Sequence, residues 1–259
     1  GLMEQIMGSY SVSDDEGPLT DAVEAFLNKQ QHLTVRRHGD TLVASTHFGR
    51  ERRVILAGHL DTVPVIDNFP PRWLEPGDPL IREDVAAGHE RERVVWGRGA
   101  TDMKGSDAVM LYLAATLTDA KYDLTYVFYD HEEVAAEKNG LRKVVEAHPD
   151  WISGDFAIIG EPTDCGIEGG CNGTMRFDVI THGIAAHSAR AWMGKNAIHA
   201  AAEILNRLNA YENSAIEVDG LTYQEGLNAT LISGGKGTNA ACTSTTVLLP
   251  TSRWLRRRR

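Results

Sequence analysis

The run from Arg93 to Gly160 reads strand, helix, strand, helix, strand: "RVVWG" (93–97), "GSDAVMLYLAATL" (105–117), "DLTYVFYD" (123–130), "GLRKVVEAH" (140–148) and "DFAIIG" (155–160). The strand-like runs are almost continuously apolar. Alternated with helices, they predict an α/β fold built on a mainly parallel sheet flanked by helices on both faces. Open sheets of that kind bind ligands outside the carboxyl ends of their strands. Chemistry is therefore expected in the residues just past each strand.

Those residues share a character. His59 and Asp61 follow "VILAG" (54–58), and Asp102 follows "VVWGRGAT" (94–101). Glu132 and Glu133 follow "LTYVFYDH" (124–131), and Glu161 follows "FAIIG" (156–160). Each alone has a plain structural reading: His59 as a turn residue, Asp102 as a helix N-cap, Glu132 and Glu133 as a solvated pair, Glu161 in a turn. Their common placement argues for a site. Carboxylates gathered in a partly desolvated cleft repel one another and take up protons unless a cation neutralises them. Mixed imidazole and carboxylate donors suit zinc or a related transition metal better than calcium, which prefers oxygen alone. A pair of metals sharing a bridging carboxylate would use such a set well.

The flanking sequence sets the domain plan. Leu19–Gln30 has helical periodicity, and "LTVRRHG" (33–39) and "TLVASTHF" (41–48) read as a hairpin turning at Gly39 and Asp40. Residues 66–93, rich in Pro, Gly and charge, read as a long surface excursion of the kind that borders sites. After Pro162 the pattern turns Gly-rich and then alternating, with a helix expected over Asn196–Tyr211 and a further strand in "LNATLISGG" (227–235). We expect a metal-binding domain over residues 1–171 and a second, α+β domain over 172–259.

Composition narrows the classes. Of 259 residues 42% are hydrophobic and 24% charged, which suits a globular chain with a substantial core. The net charge of -10 lacks the basic stripe of a nucleic-acid footprint. No run approaches a membrane span and the N-terminus has no signal-peptide pattern, so a cytoplasmic location is the default expectation, with neither nucleic acid nor membrane as partner. Cys165, Cys171 and Cys242 form no CxxC pair and read as structural free thiols. The terminal "TSRWLRRRR" (251–259) carries five arginines and reads either as a polyanion-binding arm or as an aberrant tail.

Four motifs in order, "GHLDTVP" (58–64), "WGRGATDMKG" (96–105), "HEEV" (131–134) and "GEPT" (160–163), resemble the di-zinc metallopeptidase family of aminoacylases, carboxypeptidases and acyl-amino-acid deacylases. The resemblance runs from about Leu2 to Asn239. Within that family "AAHSARAWMGKNAIHAAAEILNRL" (185–208) and "EGLNATLISGG" (225–235) are most similar to the actinobacterial type of succinyl-diaminopimelate desuccinylase. Acetylornithine deacetylases and di- or tripeptidases share the four metal motifs.

The resemblance implies two Zn2+ ions, with Co2+ as a possible substitute. His59 and Glu161 would hold one metal, Glu133 the other, and Asp102 would bridge them through a residue followed by a cis peptide to Met103. Glu132 would be the general base, and Asp61 would accept the second imidazole N–H of His59. His187 would serve the oxyanion, often in the partner subunit's site, while Asn239 and Arg190 would bind substrate carboxylates. The second domain would be a lid that also pairs two subunits in a homodimer.

The sequence departs from the family pattern after Asn239. Residues from about 240 read as an aberrant tail, and no histidine there matches the one that completes the second metal's shell in the family. Both domains are accordingly expected to be incomplete, in a truncated chain of low activity or, alternatively, an inactive binding or assembly remnant.

Overall fold

The computed structural model describes residues 1–82, 91–170, 173–218, 220–236 and 244–253. The chain divides into two compact units, Gly1–Cys165 and Gly166–Arg259.

The first unit is built on a five-stranded sheet in the order β1-β2-β6-β3-β7. Its strands are β1 (Leu33–His38), β2 (Thr41–Thr46), β3 (Arg53–His59), β6 (Asp123–Tyr129) and β7 (Phe156–Ile159). β3 runs parallel to both β6 and β7, whereas β1 and β2 form an antiparallel hairpin whose β2 also pairs antiparallel with β6. The sheet is thus mixed, with its parallel part on the side that carries the expected site.

Period-two alternation sends each strand's side chains to two cores. Leu42, Ala44, Leu124, Tyr126 and Phe128 pack on one face against Ile6 of α1 (Leu2–Gly8), Leu19 and Val23 of α2 (Gly17–Leu27), and Ala108 and Leu111 of α3 (Lys104–Thr116). Val43, Val127, Tyr129, Ile55 and Ala57 turn to the other face and meet Val144 of α4 (Gly140–Ala147). Both faces are covered, as near-continuous apolar strands require. β7 is the exception, exposed along its length with Phe156 at 64%.

α3 sits close because β3 and the loop after β7 carry glycine where it passes. A Cβ on Gly58 would lie 2.5 Å from Met103 Cε and 2.6 Å from Asp107 Oδ1. One on Gly160 would lie 2.7 Å from the same Met103 atom.

One expectation fails here. "RVVWG" is not a strand of the central sheet. Among the described residues β5 (Val94–Trp96) pairs only with β4 (Arg72–Leu74), inside the stretch expected as an irregular excursion, to make a two-stranded ribbon. Three half-buried residues are too few to cross the sheet, and Trp96 is covered by the Arg72 guanidinium at 4.7 Å. The N-terminal segment Leu2–Gly8 is helical and buries Ile6 and Met7.

In the second unit β8 (Gly173–His182) pairs antiparallel along its whole length with β13 (Ser244–Arg253). β13 also pairs with β11 (Gly226–Leu227) and β12 (Leu231–Gly234). α5 (Ala197–Asn209) packs on this sheet through Ala201 against Val247, and its N-cap Asn196 accepts from Ile198 N–H. β9 (Ala215–Val218) and β10 (Leu221–Gln224) form a separate hairpin. The stretch read as an aberrant tail from about residue 240 therefore contains the central strand of this sheet. Its run Thr245-Thr246-Val247-Leu248 is rich in β-branched and apolar residues, which suit a pleated, half-buried surface. Trp254 to Arg259 lie outside the described residues, as do Cys171, Cys242 and Asn239. Cys165 is exposed, so no core explains it.

Candidate metal centre

Register brings the site together. His59 stands opposite Tyr129, and Ala57 opposite Ile159, so β3, β6 and β7 end in step. The ladder continues one residue further through Leu60 N–H to Tyr129 O and Gly160 N–H to Ala57 O. The chain then turns at His131, whose φ of 57° lies in the left-handed region, and presents Glu132 and Glu133 beside the end of β3. Neighbouring residues on a regular strand point to opposite faces. After this bend both glutamates offer oxygens to one place.

The ligand atoms of His59, Asp102 and Glu161 lie within 4.8 Å of one another, and so do those of His59, Glu132 and Glu133. The two sets share His59. Asp102 does not cap α3, whose N-cap is Met103 with no side-chain hydrogen bond; its carboxylate Oδ1 stands 2.9 Å from His59 Nε2. The Asp102–Met103 peptide is cis. Glu161 Oε1 lies 3.9 Å from the same nitrogen.

His59 is buried, and its Nδ1 is 2.9 Å from the Asp61 carbonyl oxygen. A carbonyl can only accept, so Nδ1 carries the proton and the tautomer is set from behind. Asp61 takes this N–H through its backbone oxygen; its carboxylate Oδ1 is more distant, at 3.4 Å. The Asp61 carboxylate is engaged elsewhere. It accepts from Glu132 N–H at 2.9 Å, Glu133 N–H at 3.1 Å and the Ser13 hydroxyl at 2.7 Å. Asp61 therefore ties the end of β3 to the glutamate bend. Sequence spacing carries no sign of Ser13, because its partner lies 48 residues away.

The electrostatics are those of a site that attracts a cation. Burial pushes the Glu161 carboxyl above the usual carboxylate range; His59 opposes this, and Asp102, Glu132 and Glu133 add to the rise. Burial likewise raises Glu133, helped by Asp102. For Asp61 burial works upward too, but the nearby His59 ring and the hydrogen bonds from Ser13 and the two glutamate amides hold it down to about 2. Burial alone would lower His59, yet Asp61 and then Glu161 and Asp102 carry it up to about 10. A multivalent cation placed among these groups would relieve the carboxylate repulsion that raises Glu133 and Glu161. The donor set therefore fits a transition metal.

Six of the expected site residues, His59, Asp61, Asp102, Glu132, Glu133 and Glu161, are brought together within the first unit. His187 and Arg190 belong to the second unit and are exposed there; His187 Nδ1 accepts from Ala189 N–H at 3.1 Å, capping a short 3-10 turn.

A layered α/β unit with imidazole and carboxylates at its strand ends has the architecture and donors of a metallopeptidase, and the chain belongs to Peptidase family M20/M25/M40, whose model matches residues 55–243. The more particular likeness is to enzymes named for one amide substrate. The chain is 39% identical over 243 residues to the succinyl-diaminopimelate desuccinylase of Corynebacterium glutamicum, covering 92% of this chain and 61% of that protein. It is 44% identical over 230 residues to a Mycobacterium tuberculosis protein designated succinyl-diaminopimelate desuccinylase DapE, covering 88% and 60%. The chain thus spans about six tenths of the length of these relatives. Among solved structures, the M20 metallo-carboxypeptidase Sso-CP2 from Sulfolobus solfataricus aligns with a TM-score of 0.66 at 14% identity over 99% of this chain and 71% of that one. YXEP of Bacillus subtilis, a dinuclear metal binding peptidase of the M20 family, aligns at 0.63 and 15% identity, over 98% and 63%. At such identities the likeness is one of fold.

Proposed function

We propose that the protein is a zinc-dependent amide hydrolase that removes succinate from N-succinyl-LL-2,6-diaminopimelate, a step of lysine and diaminopimelate synthesis in the cytoplasm. The observation that carries the hydrolase reading is the convergence of His59, Asp102, Glu132, Glu133 and Glu161 at the ends of three strands in register. The substrate rests on the two relatives named above.

In this reading His59, Asp102 and Glu161 would hold one ion, and Glu133 with Asp102 would hold the second. Such ions would supply Lewis acidity toward the amide carbonyl and lower the pKa of the attacking water. Glu132 is exposed at the mouth of the site and handles the proton, taking it from the water and passing it to the departing amine nitrogen. Asp61 fixes the imidazole through its carbonyl and the glutamate bend through its carboxylate. His187 of the second unit stabilises the oxyanion, and Arg190 and Asn239 bind substrate carboxylates; guanidinium matches a carboxylate with two parallel hydrogen bonds. The second unit acts as a lid and joins two subunits.

The test is succinate release from N-succinyl-LL-2,6-diaminopimelate by purified protein with added Zn2+, beside acetylornithine and dipeptides. Glu132→Gln is expected to lose about 10²- to 10⁴-fold in rate, the usual worth of a general base, while keeping its metal content. Loss of metal together with rate would make Glu132 a ligand, and preference for acetylornithine or a dipeptide would reassign the substrate. Light scattering that shows only monomer would remove the paired-lid element.

A further inference from the structure

The segment from Ser11 to Glu16 joins α1 to α2 and carries none of the expected site residues, yet it is laced to two of the loops of the metal centre, those after β3 and after β6. Val12 bridges Thr62 in parallel. Around that bridge Thr62 N–H donates to Ser11 O at 2.9 Å, Ser13 N–H to Thr62 O at 3.1 Å, and the Ser11 hydroxyl to Leu60 O at 2.7 Å. The segment thus runs as a short strap beside the residues that follow β3.

Two strap side chains then reach the site loops. Ser13 Oγ donates to Asp61 Oδ2 at 2.7 Å, on the carboxylate that already accepts the Glu132 and Glu133 amides. Asp14 Oδ1 accepts from His131 Nε2 at 3.0 Å and from Lys138 Nζ at 2.6 Å, gripping the glutamate bend from its two flanks. The buried Glu16 takes the His131 N–H at 3.3 Å.

Geometry makes this more than a surface tether. Both glutamate amides end on one carboxylate, so the Asp61 side-chain torsion sets where the bend stands. Ser13 is the donor that reaches that carboxylate from outside the two loops, and Asp14 holds the residue at which the bend begins. Groups that orient metal ligands from behind commonly control affinity by 10- to 100-fold.

We propose that Ser13 and Asp14 are positioning residues of the metal centre, holding the Asp61 carboxylate and the His131 bend so that Glu132 and Glu133 face His59. The inference rests on the reading of these residues as a metal site. It concerns the chain's own contacts, so its primary readout is metal binding and not turnover.

The experiment is Co2+ titration of the whole chain, followed by the visible d–d absorption, for wild type, Ser13→Ala, Ser13→Thr, Asp14→Asn and Glu133→Gln, with circular dichroism to confirm folding. Ser13→Ala is expected to weaken Co2+ binding by about 10- to 100-fold and to alter the band. Ser13→Thr keeps the hydroxyl and should recover most of the affinity. Asp14→Asn changes an exposed residue at φ 78°, a conformation asparagine tolerates, so it should fold and bind more weakly than wild type. If Ser13→Ala does not fold, Asp14→Asn decides. Wild-type titrations from folded Ser13→Ala and Asp14→Asn, beside a defective Glu133→Gln, would overturn the strap and leave the site standing. Equal loss in Ser13→Ala and Ser13→Thr would also overturn it, since the hydroxyl would not be the agent. A wild type that takes up no Co2+, or a Glu133→Gln that binds normally, would overturn the site reading and this proposal together.

Discussion

At the scale of single residues, what matters is which atom of each polar side chain is already committed. The Asp61 carboxylate faces three donors, two of them backbone amides. In Asp61→Asn the carboxamide has one oxygen to offer, and its NH2 must stand against a donor. The expected outcome is a folded protein whose Zn2+ affinity, measured by competition with a chromogenic chelator, is about 10- to 100-fold weaker. Asp123 gives a test away from the site. Burial works to raise its carboxyl, but the Phe48 and Arg50 amides and the Thr46 hydroxyl hold it below the ordinary 3.8. A carboxyl depressed in the folded state adds stability above its unfolded value and loses it as pH falls through the folded one. Wild type should therefore lose urea resistance below about pH 4 more steeply than Asp123→Asn, which should be weaker at neutral pH and flatter in acid. Parallel pH profiles for the two proteins would contradict this.

At the scale of elements, the close approach of α3 to β3 decides where Asp102 emerges. Gly58 is the contact point, and alanine there would drive a methyl into Met103, Asp107 and Met110. Overpacking of this kind costs roughly 1–3 kcal/mol, so Gly58→Ala should lower the denaturation midpoint by a corresponding amount with little change in m-value. Because Met103 follows Asp102 directly, the shift should also weaken metal binding, which a surface substitution such as Tyr112→Ala on the outer side of α3 should not do. The element scale also shows the limit of local patterns. "RVVWG" has the composition of a buried strand, yet it pairs with Arg72–Leu74, because strand partners are chosen by length and neighbours beyond the run itself.

At the scale of the whole molecule, the two units hold different parts of the proposed chemistry, and among the described residues the grouped metal-ligand candidates all lie in Gly1–Cys165. β13 is the central strand of the second unit's sheet, lying between β8 and the β11/β12 edge. Ending the chain at residue 243 removes the partner of all ten residues of β8 and the Val247 contact with Ala201. Limited proteolysis of that shortened chain should cut freely within residues 173–236 while leaving a resistant fragment near residues 1–165 that still binds Co2+. A second unit as resistant as in the parent chain would show that β13 is dispensable.

Apolar runs at strand and helix periods, and the polar residues that end them, were enough to predict an α/β unit and to single out His59, Asp61, Asp102, Glu132, Glu133 and Glu161, because buried strands and the polar groups at their ends leave local marks on residue type. The motifs carried the family as well. Only the tertiary structure decided the register that ends β3, β6 and β7 in step, the exclusion of Val94–Trp96 from the sheet, the central place of β13, and the grip of Ser13 on Asp61. Each of these is a hydrogen-bond choice between segments far apart in the chain. Such choices depend on which partners folding brings alongside, and neither partner shows them in its own neighbourhood.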